Sequence, residues 1–152
     1  MGLLDLFKKS VTVEDEFFGR LKFMKIKNNP SKSYFEGKGM FSPTGREIDY
    51  FIVAAETGPE PDQQDFYRQI QQDWDLIVEK IKPVIELEFR NWKADFAIAD
   101  FNKEFMLVGL TIPRQKPQPV EWDLAFDTIH DENHQVTVYL KGYAPTGIGI
   151  DG

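Results

Sequence analysis

The chain has no cysteine among its 152 residues. That excludes a disulfide framework, a thiolate metal site and a cysteine nucleophile, and it suits a reducing compartment, so a cytoplasmic location is expected. Long apolar runs are also missing. None approaches the roughly 20 residues that a bilayer-spanning helix needs, and Met1 to Ser10 lacks the basic start and long apolar centre of a secretory leader. Membrane attachment is therefore not expected. Positive charge is in deficit, with 18 Lys and Arg against 25 Asp and Glu and a net charge of -7. Such a surface repels a phosphate backbone, which argues against nucleic acid as a partner and in favour of a basic protein. Histidine occurs only twice, and no stretch spells a catalytic or cofactor-binding motif. Gly37-Lys38-Gly39 and Gly147-Ile148-Gly149 have neither the full spacing nor the following helix of a phosphate-cradling loop, and no cofactor is expected.

What is present is apolar material enough for one core, 41% of the chain with 14% aromatic, so residues 1–152 are expected to form a single domain. Residues 1–10 read as an apolar arm, Gly-Leu-Leu-Asp-Leu-Phe-Lys-Lys after the first Met. Four apolar residues are too few for stable membrane attachment, so the arm is expected to dock on its own domain or on a twin chain, which makes a dimer conceivable.

Between Pro61 and Lys82 the residues Phe66, Ile70, Trp74, Ile77 and Ile81 recur at steps of three and four, which predicts an amphipathic helix. Burying five such side chains is worth roughly 1.5 to 3 kcal/mol each on transfer scales, so this helix should anchor the fold. Pro83 predicts a kink, and the stripe Ile81, Ile85, Phe89, Trp92 predicts that the helix continues beyond it. Around the helix, strands are expected at Val11 to Val13, Arg20 to Lys27, Tyr34 to Phe41 and Glu47 to Ala55. After it they are expected at Phe105 to Ile112, Glu121 to Thr128, Gln135 to Lys141 and Gly147 to Ile150. The change of apolar parity from Leu21 and Phe23 to Met24 and Ile26 predicts a bulge or early twist. Ile48 to Ala55 is apolar on both parities apart from Asp49, which predicts a central strand covered on both faces. Trp74, Trp92 and Trp122 are all expected in the core. The resulting fold class is α+β, an antiparallel sheet with one long, Pro-kinked helix inserted between N-terminal and C-terminal strands.

Both histidines lie in the segment Asp127-Thr128-Ile129-His130-Asp131-Glu132-Asn133-His134, read as a hairpin connection. Imidazole and carboxylate together can hold zinc or manganese, which makes Asp127, His130, Asp131 and His134 a candidate metal set. Asp, Glu and Asn equally favour exposed turns, and a solvated turn offers His130, Asp131, Glu132 and His134 as contacts for a partner.

Trp122-Asp-Leu-Ala-Phe-Asp-Thr-Ile-His-Asp-Glu-Asn-His134, followed by an alternating strand and Gly-Ile-Asp-Gly, resembles an uncharacterised bacterial domain family. There an aliphatic strand ending in an acidic Asp-Glu-x-His turn precedes a last hairpin. Phe17-Phe18-Gly19-Arg20-Leu21, Tyr34-Phe35-Glu36-Gly37 and Glu60-Pro61-Asp62-Gln63-Gln64 are similar to its other landmarks. The chain departs from that pattern at Phe35, where Trp is expected, and at Gln135, where glycine is expected. The resemblance implies a small α+β protein and brings no catalytic residues. Acidic α+β domains of this look also occur among immunity proteins that block toxins, an analogy of fold and charge. The expected function is a non-enzymatic, protein-binding module of immunity or accessory type. The alternative is a metal-dependent enzyme or metal-binding protein built on the 127–134 segment.

Overall fold

The computed structural model describes residues 11–151, so the arm expected at residues 1–10 lies outside the described residues. Eight strands form one sheet in sequential order: β1 (Thr12–Asp15), β2 (Gly19–Met24), β3 (Tyr34–Phe41), β4 (Arg46–Val53), β5 (Phe105–Ile112), β6 (Glu121–Thr128), β7 (Asp131–Lys141) and β8 (Ala144–Asp151). Every neighbouring pair is antiparallel except β4 and β5, which run parallel with Asp49 opposite Gly109 and Ile52 opposite Ile112. The α+β class holds, as a sheet-dominated fold of two antiparallel meanders joined along one parallel seam. The seam follows from the helical crossover: a chain that leaves one end of β4 and returns to start at the other end must run the same way again.

The helical stretch is divided. α1 (Pro61–Gln72) and α2 (Trp74–Phe89) meet at Asp73, and Pro83, where the sequence predicted the kink, lies inside α2. Pro83 sits on the exposed side of α2, where water can take the carbonyl that its missing N–H leaves free. Asp73 departs from helical geometry at φ -94° and ψ 12°. Its carboxylate accepts the Gln69 side-chain amide at 2.8 Å and the Tyr143 hydroxyl at 2.7 Å, which ties the corner to the β7–β8 turn. A short α3 (Phe101–Glu104) leads into β5.

The two helices cover one face of the sheet. Tyr67, Ile70, Trp74, Ile77, Ile81, Ile85 and Phe89 face Leu21, Phe35, Ile48, Ile52, Leu110, Leu124, Phe126 and Val138 in a single apolar cluster. Among the described residues no helix covers the opposite face of the sheet. β4 is central yet covered on one face alone: Ile48, Tyr50 and Ile52 are buried, while Asp49 and Phe51 are exposed. The expected bulge in β2 is absent, because the strand ends at Met24 and the Ile26 amide turns to the Ser33 hydroxyl at 2.9 Å.

The buried side chains of Gln63 and Tyr50 are hydrogen-bonded, whereas Asp62 Oδ1 is buried without a partner among the described residues. Gln63 on α1 accepts the Glu60 amide at 2.9 Å and donates to the Val53 carbonyl at 2.8 Å and the Pro113 carbonyl at 3.2 Å, so one side chain bridges the ends of β4 and β5. Tyr50 donates to the Phe18 and Lys38 carbonyls, and its ring lies across β3. A Cβ added at Gly37 or Gly39 would come within 2.7 Å of that ring, so those glycines are packing requirements and not a phosphate loop. Burial, with Asp15 and Glu47 nearby, pushes the Tyr50 phenol up to about 12.

Candidate functional site

The segment that carries both histidines is a tighter hairpin than its composition suggests. Asp127 and Thr128 belong to β6, Asp131 to His134 belong to β7, and only Ile129 and His130 turn the chain. The register slips between Phe126 and Thr128, so Thr128 pairs with Asp131. The slip aims the turn back over the end of β5. There the Thr128 hydroxyl donates to the Glu104 carbonyl at 2.9 Å, and the Ile129 amide bonds the same carbonyl at 3.2 Å.

Glu104 is the residue that sequence reasoning missed. One carboxylate oxygen accepts the backbone N–H groups of Ala99 at 2.8 Å and Asp100 at 2.6 Å, and the other meets Nε2 of His130 at 2.8 Å. These bonds, that from Asp100 first, hold its carboxyl below the usual carboxylate range against the opposing effect of burial. A carboxylate reaching back to amides at the start of a short helix behaves like the acidic member of a capping box. Asp100-Phe101-Asn102-Lys103-Glu104 has that composition, stretched by one residue, and was the available signal.

His130 sits in aromatic company. Its ring lies edge-on to Phe96 at 4.8 Å, 5.8 Å from Phe105 and 6.3 Å from Phe89. Phe89 and Phe96 stack at 4.9 Å. The connection from α2 is pinned above them by Arg90 Nε donating to the Phe96 carbonyl at 3.0 Å and by the Ile98 amide donating to Glu86 at 2.8 Å. Trp92 does not join this core. It is 65% exposed, whereas Trp74 and Trp122 are buried as expected. α2 ends at Phe89, so the three-residue step from Phe89 to Trp92 leaves the helical stripe and carries the indole outward, edge-on to Phe89 at 5.6 Å.

The second histidine is held locally. Nδ1 of His134 lies 2.8 Å from both oxygens of Asp131, which also accepts the Asn133 amide at 3.2 Å. The His134 contact comes first in keeping the Asp131 carboxyl below its usual range. The structure thus breaks up the proposed metal set: His134 pairs with Asp131, while His130 turns away to Glu104, outside the set. Asp127 lines a shallow pocket with Asp131, Glu132 and His134, but among the described residues no three His, Asp or Glu side chains converge where they could hold one ion. The partner-contact set of His130, Asp131, Glu132 and His134 occupies one hairpin end, with Glu132 and both histidines exposed.

Two other regions are chemically quieter. A cleft of about 590 Å³ opens between the β3–β4 turn and the helix corner and is lined by Ser42, Arg68, Gln71 and Asp75 among others, without a paired acid and base. On the face of the sheet away from the helices, burial raises the half-buried Asp123 carboxyl despite a 2.9 Å hydrogen bond from Thr111. Among the described residues no helix is long and apolar enough to cross a membrane. Compared with models of known protein families, with curated proteins and with solved structures, the chain matches none.

Proposed function

We propose that this chain is a cytoplasmic, non-enzymatic protein-binding module of immunity or accessory type, and that it meets a basic partner through the end of the molecule built from residues 86–104 and 127–134. The observation that carries this reading is the distribution of charge. Those two segments hold eight acidic and three basic residues, which is five of the chain's seven net negative charges. The contacts of Glu104 with Thr128, Ile129 and His130 bring them to one place. A concentrated field of one sign accelerates encounter with an oppositely charged partner and confers salt dependence on the rate.

The metal-dependent alternative draws no support from donor geometry: of its four candidate ligands only Asp131 and His134 meet, while His130 turns to Glu104. The test of the binding reading is capture of partners from lysate of the source organism at low and high salt. It uses the natural chain beside an Asp131→Lys, Glu132→Lys variant. The expected result is one stoichiometric basic protein, released by salt and retained at least tenfold less by the variant, whose melting temperature stays unchanged. Equal capture by both chains would remove this end of the molecule from the interface.

A further inference from the structure

We propose that the cleft beside Trp92 receives an arginine side chain of the partner, an inference that rests on the acidic-module reading above. The cleft encloses about 250 Å³ and is lined by Phe89, Trp92, Lys93, Phe96, His130 and Asp131. Pockets for drug-sized ligands run from roughly 300 to 1,000 Å³. This one is the size of a single side chain.

Its walls specify which one. Phe89 and Phe96 form a stacked pair, Trp92 stands edge-on to Phe89 at 76°, and His130 stands edge-on to Phe96 at 84°. Phe89 and Phe96 are buried in their own stack, so the aromatic face on offer is the 65% exposed indole of Trp92, and such a face attracts cations within about 6 Å of its centre. An apolar guest would use the rings but gain nothing from the surrounding field, and an anionic guest would oppose it. A cationic guest gains from both. Of the two cationic side chains, the guanidinium is planar and weakly hydrated, so it stacks on aromatic faces and forks onto a carboxylate, whereas the ammonium holds its water more tightly. At the rim stands Asp131, already accepting from Asn133 and facing His134, with lone-pair capacity left for a guanidinium N–H. Trp92 is also the residue type most enriched among energetic centres of protein interfaces. Lys93, the only lysine or arginine on the wall among the described residues, repels such a guest, and that fixes the sign of the decisive test.

Because Trp74 and Trp122 are buried and Trp92 is not, tryptophan emission reports on the cleft. The experiment titrates hexa-arginine, hexa-lysine and neutral hexa-citrulline peptides into the full chain at low salt. Calorimetry measures affinity and tryptophan emission locates the site. Hexa-arginine should bind and shift the emission saturably, hexa-lysine should bind with a smaller emission change, and hexa-citrulline should do neither. Trp92→Ala should weaken hexa-arginine about fivefold, Trp92→Phe should restore part of the loss, and Lys93→Ala should tighten binding. Circular dichroism of each variant checks that these surface changes leave the fold intact. Salt-released binding that leaves the emission unmoved and is indifferent to Trp92→Ala would overturn the arginine cleft while leaving the acidic-module reading standing. Unchanged or weaker hexa-arginine binding in Lys93→Ala would mean that no cationic guest sits beside Lys93, and would overturn it equally. Absence of any hexa-arginine binding at low salt would sink both readings.

Discussion

The two histidine–carboxylate pairs close at the same 2.8 Å, yet they are built from different materials. His134 and Asp131 are three residues apart on one strand, with side chains 45% and 30% exposed, and each could find the other in an isolated hairpin. His130 and Glu104 are 26 residues apart, 29% and 12% exposed, and meet only when the hairpin folds over the end of β5 among three phenylalanine rings. Distance alone does not measure what an ion pair contributes. Exposed local pairs contribute little, because water and salt screen them. Glu104 adds two short amide bonds, at 2.8 and 2.6 Å, to its imidazole contact, where Asp131 adds one at 3.2 Å within its own hairpin, so removing Glu104 costs more bonds and the tie between distant segments.

Removing Glu104 should therefore have the largest effect. Glu104→Ala frees the Ala99 and Asp100 amides and His130 at once, and should destabilise the chain by about 1 to 3 kcal/mol in urea unfolding. A loss below about 0.5 kcal/mol would erase the distinction between the pairs. A cycle of Glu104→Ala, His130→Ala and the double variant should return a coupling of at least about 0.5 kcal/mol. Additive losses would reduce the dyad to mere proximity.

Acid should separate the carboxylates by sign. Glu104 and Asp131 are held below their ordinary range, Glu104 chiefly by the Asp100 amide and Asp131 chiefly by His134. Their contribution is present near neutral pH and is lost as pH falls through their lowered folded-state values. Asp123 runs the other way: burial raises its carboxyl, so its ionisation opposes folding as pH rises through the ordinary carboxylate range. Asp123→Asn should melt higher than the natural chain at pH 7, with the gap closing in acid. A gap independent of pH would assign the effect to something other than ionisation. The smallest effect is expected from His134→Ala, which should leave the melting temperature unchanged, and a drop as large as that of His130→Ala would break the comparison.

The same contrast explains what could be read before the structure. Alternation made the strands legible because six of the seven strand pairings join neighbours along the chain in antiparallel hairpins. Helical spacing exposed the stripe from Ile70 to Phe89 for the same local reason. The parallel seam was not legible, because nothing within β4 or β5 encodes the direction of the other strand. Phe51 misled because an apolar run looks two-sided even when, among the described residues, no helix covers one face of the sheet, and Trp92 misled because its stripe outlasted its helix by three residues. At the site, the turn histidines were visible as a composition. Glu104 was not, since its value lies in amides and an imidazole that only the fold delivers.

The bridge that Gln63 makes across the β4–β5 seam has a kinetic consequence. Each four-stranded meander pairs through connections within its own half of the chain, but the seam has to wait until residues 54–104 have looped back. Closing a loop grows costlier only slowly with length, by about 0.6 kcal/mol per doubling, yet pairings distant along the chain are the slow ones in folding. The seam is then expected to be the last strand contact to form. A side chain that holds both strand ends from the first turn of α1 acts as a latch on that slow step.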